Sequence, residues 1–181
     1  MKLVRWILVL LLTAAAVVMV MSPSLLAGVL PQAWLDAASL KDFPLLKSWC
    51  DRLIELQVRD TGVKELDGGI LCPACHVIHG RCPDAIYPMM YLADATSEEK
   101  YLAAARKLFT WQQNMLTDEG SVYNDGNSDW QGITVFAAIS LCEALSHHGG
   151  LLTAGERAQW MARLEAMCDW LCRTLDENYP T

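Results

Sequence analysis

The chain has 181 residues, with 14 Lys and Arg against 21 Asp and Glu and a formal charge of −7. The basic residues are scattered and form no stripe, so the electrostatic footprint of a nucleic-acid-binding protein is missing. An acidic balance does not exclude an acidic polysaccharide, because a few cations in a cleft outweigh distant, screened charge.

At the N-terminus, Lys2 and Arg5 lead into an apolar run over residues 6–21 interrupted by Thr13, and Ser22, Pro23 and Ser24 end it. A positive head, an apolar stretch and a helix-breaking exit are the parts of an export signal, with Ala27 before the cut. The run exceeds the roughly 7–15 residues of a signal core and falls short of the roughly 20 that span a bilayer. Residues 1–27 are therefore read as a signal peptide or a membrane anchor, and 28–41 as a linker. Both readings put the body outside the cytoplasm, secreted or periplasmic, with the membrane touched only by the N-terminal segment.

Asp42 and Pro44 suit a helix start, and Leu46, Trp49, Cys50, Leu53 and Ile54 follow at helical spacing. Thr96 with Glu99 forms the pattern of a capping box before Tyr101, Leu102, Ala105, Leu108 and Phe109. Thr153 with Glu156 repeats it before Trp160, Leu164, Met167 and Leu171. Residues 85–95 and 133–145 are apolar nearly all round, the pattern of a helix buried on every side, with Pro88 constraining the start of the first. Amphipathic outer helices thus alternate with greasy inner ones. Trp49, Trp111 and Trp170 mark corresponding points 62 and 59 residues apart, and acidic turns follow at Asp60, Asp118-Glu119-Gly120 and Asp176-Glu177-Asn178. A period of about 60 residues with one helix pair per repeat reads as a helical array. The expected fold is all-α: helical hairpins of an incomplete α/α toroid over residues 42–181, with a simple helix bundle as the alternative.

On that period, on Asp118-Glu119-Gly120-Ser121-Val122-Tyr123 and on Gly132-Ile133-Thr134 opening a buried helix, the chain from Asp42 onward resembles the six-hairpin carbohydrate-active enzymes. These include heparinase II/III-like polysaccharide lyases and several glycoside hydrolases. The resemblance implies a substrate cleft built from long loops at one end of the ring and a polysaccharide or oligosaccharide as partner. It also implies more hairpins than are present, so the sequence is read as the N-terminal fragment of an exported enzyme, a lyase ahead of a hydrolase.

The chemistry lies in the loops. Cys72, Cys75, His76, His79, Arg81 and Cys82 crowd the first of them. Three readings stand side by side. Cys72-x-x-Cys75-His76 is the attachment pattern of c-type haem, which makes an exported haem protein the main alternative. Cys72, Cys75, His76, His79 and Cys82 also supply the N/S donors of a zinc site. In the third reading, which needs no cofactor, two cysteines brace the loop, His76 and His79 carry protons, and Arg81 holds a uronate carboxylate. In the second loop, Tyr123 and Asp129 are candidate proton carriers, Asn127 and Trp130 candidate sugar contacts. Asp125-x-Asn127-x-Asp129 begins like a calcium loop, but Trp130 stands where glycine is needed and Phe136 where the closing Glu belongs. A hydrolase needs two facing carboxylates, and Asp67, Asp125 and Asp129 are its candidates here. A non-catalytic helical-repeat binding module is the remaining alternative. Cys142, Cys168 and Cys172 are read as core residues, and His147-His148-Gly149-Gly150 as a helix end with a left-handed glycine cap.

Overall fold

The computed structural model describes residues 41–125 and 130–174. The signal or anchor segment, residues 28–40 of the linker and the turn at Asp176 lie outside them. Among the described residues the α-helices are α1 (Phe43–Leu56), α2 (Ile86–Thr96), α3 (Glu99–Trp111), α4 (Thr134–His148) and α5 (Ala154–Thr174). Single 3-10 turns stand at Cys82–Ala85, Gln112–Met115 and Gly149–Leu151. There is no strand among the described residues, only isolated antiparallel bridges such as Gln57 to Ile70 and Leu116 to Val122. The fold is all-α, and no described helix is long and apolar enough to cross a membrane.

Inner helix α2 packs against α1, α3 and α4, and α4 packs in turn against α5. Met89, Met90 and Leu92 of α2 expose nothing to solvent. Each such side chain contributes about 1.5–3 kcal/mol of burial. Pro88 sits in the first turn of α2, where no helical N–H is lost. The outer helices bury one stripe each, Tyr101, Leu102, Ala105 and Leu108 on α3 and Trp160, Leu164, Met167 and Trp170 on α5. Between the outer helices, Phe109 stacks on Trp160 at 4.6 Å, and the Arg163 guanidinium lies 3.6 Å over the same ring.

Several expectations are corrected. Helix α4 is not buried on every side: Phe136 and Ile139 are 41% and 55% exposed, and Cys142 continues their stripe into solvent. Of that face, Phe136 is partly covered by the Arg81 guanidinium, and Ile139 is the most open. Cys168 and Cys172 are exposed too, because the buried stripe of α5 runs through Trp160, Leu164 and Met167 one face away. Trp49 is 61% exposed whereas Trp111 and Trp170 are buried, so the three are equivalent in sequence but not in burial. Thr96 does not cap α3. It closes α2 through Leu92 O, Ser97 at φ 59° turns the chain, and Glu98 stands at the N-cap position of α3 without a side-chain capping bond. The second box forms as read: Glu156 Oε2 accepts from Thr153 N at 2.8 Å and Thr153 Oγ1 accepts from Glu156 N at 3.2 Å. Gly149 takes an ordinary helical φ of −60°, not the left-handed one expected.

The repeat shows itself in the loop glycines. Gly68 (φ +99°) and Gly120 (φ +97°) each press on the outer helix of the next repeat, where a Cβ would stand 2.6 Å from Lys107 O and 2.5 Å from Ala166 O. Only glycine accepts both the backbone angle and the approach.

Two carboxylates tie the helices together. The Lys100 ammonium at 2.6 Å, helped by the Tyr101 hydroxyl and Lys47, holds Asp51 of α1 at about 2. Arg106 of α3, with the Thr153 N–H, holds Glu156 of α5 at about 2. Unfolded carboxyls titrate near 4, so this stabilisation is complete above that range and disappears as pH falls from about 4.5 toward 2. Thermal melts across that window should show a falling Tm, and Glu156→Gln should flatten the fall. An unchanged slope in Glu156→Gln would remove this group from the acid sensitivity.

Candidate functional site

The first long loop leaves α1 and returns to α2. Buried Gln57 anchors it by donating from Nε2 to Gly68 O at 3.0 Å and Ala104 O at 3.1 Å. Asp67 buckles the outer half, accepting from Thr61 Oγ1, Thr61 N and Gly62 N at 2.6, 2.9 and 3.0 Å. Those donors, the Thr61 hydroxyl first, hold its carboxyl below the usual range. Asp67 is thus a structural acceptor, not a free acid.

Beyond it, Leu71 and Ile78 pair across a short antiparallel turn. Cys72 N donates to Val77 O at 3.0 Å and His76 N to Cys72 O at 2.9 Å. His76 closes the turn at φ 56°, with its side chain exposed. The turn gathers Cys72, Cys75 and His79 so that one donor atom from each lies within 4.8 Å of the others. Cys75 Sγ and His79 Nε2 are 3.1 Å apart. The backbone N–H groups of Cys75 and Ala74, then the Cys75 thiol, favour the Cys72 thiolate and pull its pKa down. Cys82 stands outside this group, donating to Ile70 O at 3.3 Å, and burial pushes its thiol up. The clustered donor set is therefore narrower than the sequence reading of Cys72, Cys75, His76, His79 and Cys82. The left-handed turn sends His76 to solvent and brings His79 to the sulfurs.

Arg81 lies one residue past Gly80 and is already engaged. It grips Asp84 at 2.8 Å and lies 4.3 Å over the exposed ring of Phe136. Burial raises the Asp84 carboxyl while Arg81 opposes it. Cys72, His79 and Arg81, with Trp49, Leu53 and Leu71, line a largely apolar cavity of about 510 Å³.

The second loop meets the first at Gly80. Its N–H donates to Asn124 O, and Tyr123 O lies where a Cβ on Gly80 would project. The backbone between His79 and Arg81 is thereby fixed against that of Tyr123 and Asn124. Tyr123 is half-buried and Trp130 is 50% exposed; Asn127 and Asp129 lie outside the described residues. The clasp holding this loop escaped the sequence reading. Val122 N donates to Thr134 Oγ1 at 2.9 Å, Thr134 Oγ1 to Gln131 O at 2.7 Å, and Ser121 Oγ to Gln131 Oε1 at 2.9 Å. Polar residues flanking a helix start were the available signal.

Comparison with known proteins bears on this arrangement. The broad-specificity ulvan lyase of Formosa agariphila is 38% identical over 122 residues, which is 66% of this chain and 19% of that protein. The chain thus spans about a fifth of that relative's length. No solved structure matches. Helices α2 to α5, most of α1 and both loops fall within residues 46–180, which match the ulvan lyase N-terminal domain, and the chain belongs to that family.

Proposed function

We propose that this chain is the N-terminal hairpin array of an exported enzyme that cleaves an acidic polysaccharide of the ulvan type by β-elimination. The family match over residues 46–180, joined to the relative's name, is the observation that carries the reading. A toroid of the heparinase II/III-like kind is supported by the packing of α2 on α4 and by the exposure of Phe136, Ile139 and Cys142 along one face of α4. A further inner helix seats on that face and extends the array. Lys2, Arg5 and the apolar residues 6–21 support export.

In β-elimination the uronate carboxylate is neutralised and the neighbouring C–H is acidified. A base takes that proton, the C–O bond at the next carbon breaks as the C=C forms, and the leaving oxygen takes up a proton. His76 and Tyr123 are the proton carriers of this portion, and Trp130 with Asn127 contacts the sugar. Arg81 meets the carboxylate by sharing its guanidinium with Asp84. His79, turned toward Cys75, positions the turn. Asp129 belongs to the same loop and orients or protonates the leaving group.

The full-length protein given ulvan should produce the near-ultraviolet absorbance of unsaturated uronyl ends. His76→Ala and Tyr123→Phe should each lower turnover by roughly 10²-fold or more with unchanged helical circular dichroism. New reducing ends without that absorbance would identify a hydrolase and end the elimination reading.

A further inference from the structure

The Cys72, Cys75 and His79 cluster has no use in the elimination chemistry, yet the turn is built to converge it. Leu71 pairs with Ile78, Cys72 N binds Val77 O, and His76 accepts a left-handed φ that few non-glycine residues adopt. The result places two sulfurs and one imidazole nitrogen within 4.8 Å of one another, the shortest pair at 3.1 Å. Around a zinc ion, with Zn–S near 2.3 Å and Zn–N near 2.0–2.1 Å, tetrahedral donors stand roughly 3.5–3.8 Å apart. The observed spread brackets that value, so small side-chain rotations suffice.

Donor type points the same way. Two soft thiolates with one imidazole suit zinc, whereas calcium and magnesium take oxygen. A bare pair of cysteines in a turn would explain a disulfide, but not the return of His79 onto Cys75. We propose that Cys72, Cys75 and His79 bind a single zinc-type divalent ion whose fourth position is held by water. The two thiols release their protons as the ion binds. The ion cross-links the tip of the turn to its returning arm and stiffens the wall of the 510 Å³ cavity that Cys72 and His79 line. The proposal stands apart from the elimination reading.

The test uses the full chain purified under reductant. Elemental analysis should find zinc near one equivalent. Exchange with Co²⁺ should give the intense visible bands of a tetrahedral site and thiolate charge transfer in the near ultraviolet. Cys72→Ser and His79→Ala should weaken zinc retention by at least 10–100-fold, while His76→Ala and Cys82→Ser retain it. His79→Cys should keep the ion and deepen the charge-transfer band. Wild-type protein that takes up neither zinc nor Co²⁺ when reduced overturns the proposal. So does equal loss of metal in His76→Ala, or a Cys72–Cys75 disulfide that persists under reductant. The wild-type Co²⁺ spectrum decides the matter even where a variant fails to fold.

Discussion

Replacing Gly80 by alanine is expected to destabilise the domain by about 3 kcal/mol or more, a drop of roughly 10 °C in Tm. The reason is local and steric. A Cβ at residue 80 would stand 1.8 Å from Tyr123 O and 2.9 Å from Ile133 Cδ1. A backbone carbonyl cannot swing aside as a flexible side chain can, so one of the two loops must move. Moving it also breaks the hydrogen bond from Gly80 N to Asn124 O, and with it the junction that fixes the backbone between His79 and Arg81 against that of Tyr123. Gly150→Ala is the matched control, because a Cβ there meets nothing within 4 Å and the residue is exposed. Equal melting temperatures for the two variants would show that the loops are not joined at residue 80. The same substitution should lower turnover in the full-length enzyme more than its Tm loss predicts, since the junction separates before the helices melt.

That junction was not legible in the sequence, and the reason is physical. Helical periodicity reports which side chains face a core, so α1, α3 and α5 were visible from Leu46, Leu108 and Trp160 alone. The Thr153–Glu156 box was visible because both of its bonds close within four residues. Thr96 and Glu99 have the same spacing, but Thr96 satisfies Leu92 O behind it, a choice that depends on where α2 stops. Burial on α4 depends on neighbours, not on composition. A greasy helix reads as inner whether or not every neighbour is present, and so the exposure of Phe136 and Ile139 had no signature. The Cys and His residues of the first loop stood out as a group. Their sorting rested on the backbone of a single turn, which faces His79 inward and His76 outward.

Trp160→Ala is the other substitution expected to act strongly, at roughly 3–5 kcal/mol. The indole is 2% exposed and stacks on Phe109 with only 13° between the planes. It fills the seam between α3 and α5, and the groups nearby depend on that seam staying closed. Arg163, one turn along α5, lies over the same Phe109 ring and donates to Phe109 O and to Gln112 Oε1. Burial pulls its pKa down to about 10. A cavity at residue 160 admits water beside this guanidinium and loosens its hold on α3. The damage should spread to the second loop, because α5 also braces that loop through Arg173 on Glu119 O and Ala166 against Gly120. Amide exchange should therefore accelerate at Ser121, Val122 and Tyr123 before it does in α2. Trp160→Phe, which keeps a ring in the seam, should recover most of the lost stability. A double-mutant cycle with Phe109→Ala should return a coupling of about 0.5–1.5 kcal/mol. Strict additivity would mean that the two rings do not stack and that α3 and α5 are joined by the contacts of Arg163 and Arg106 instead.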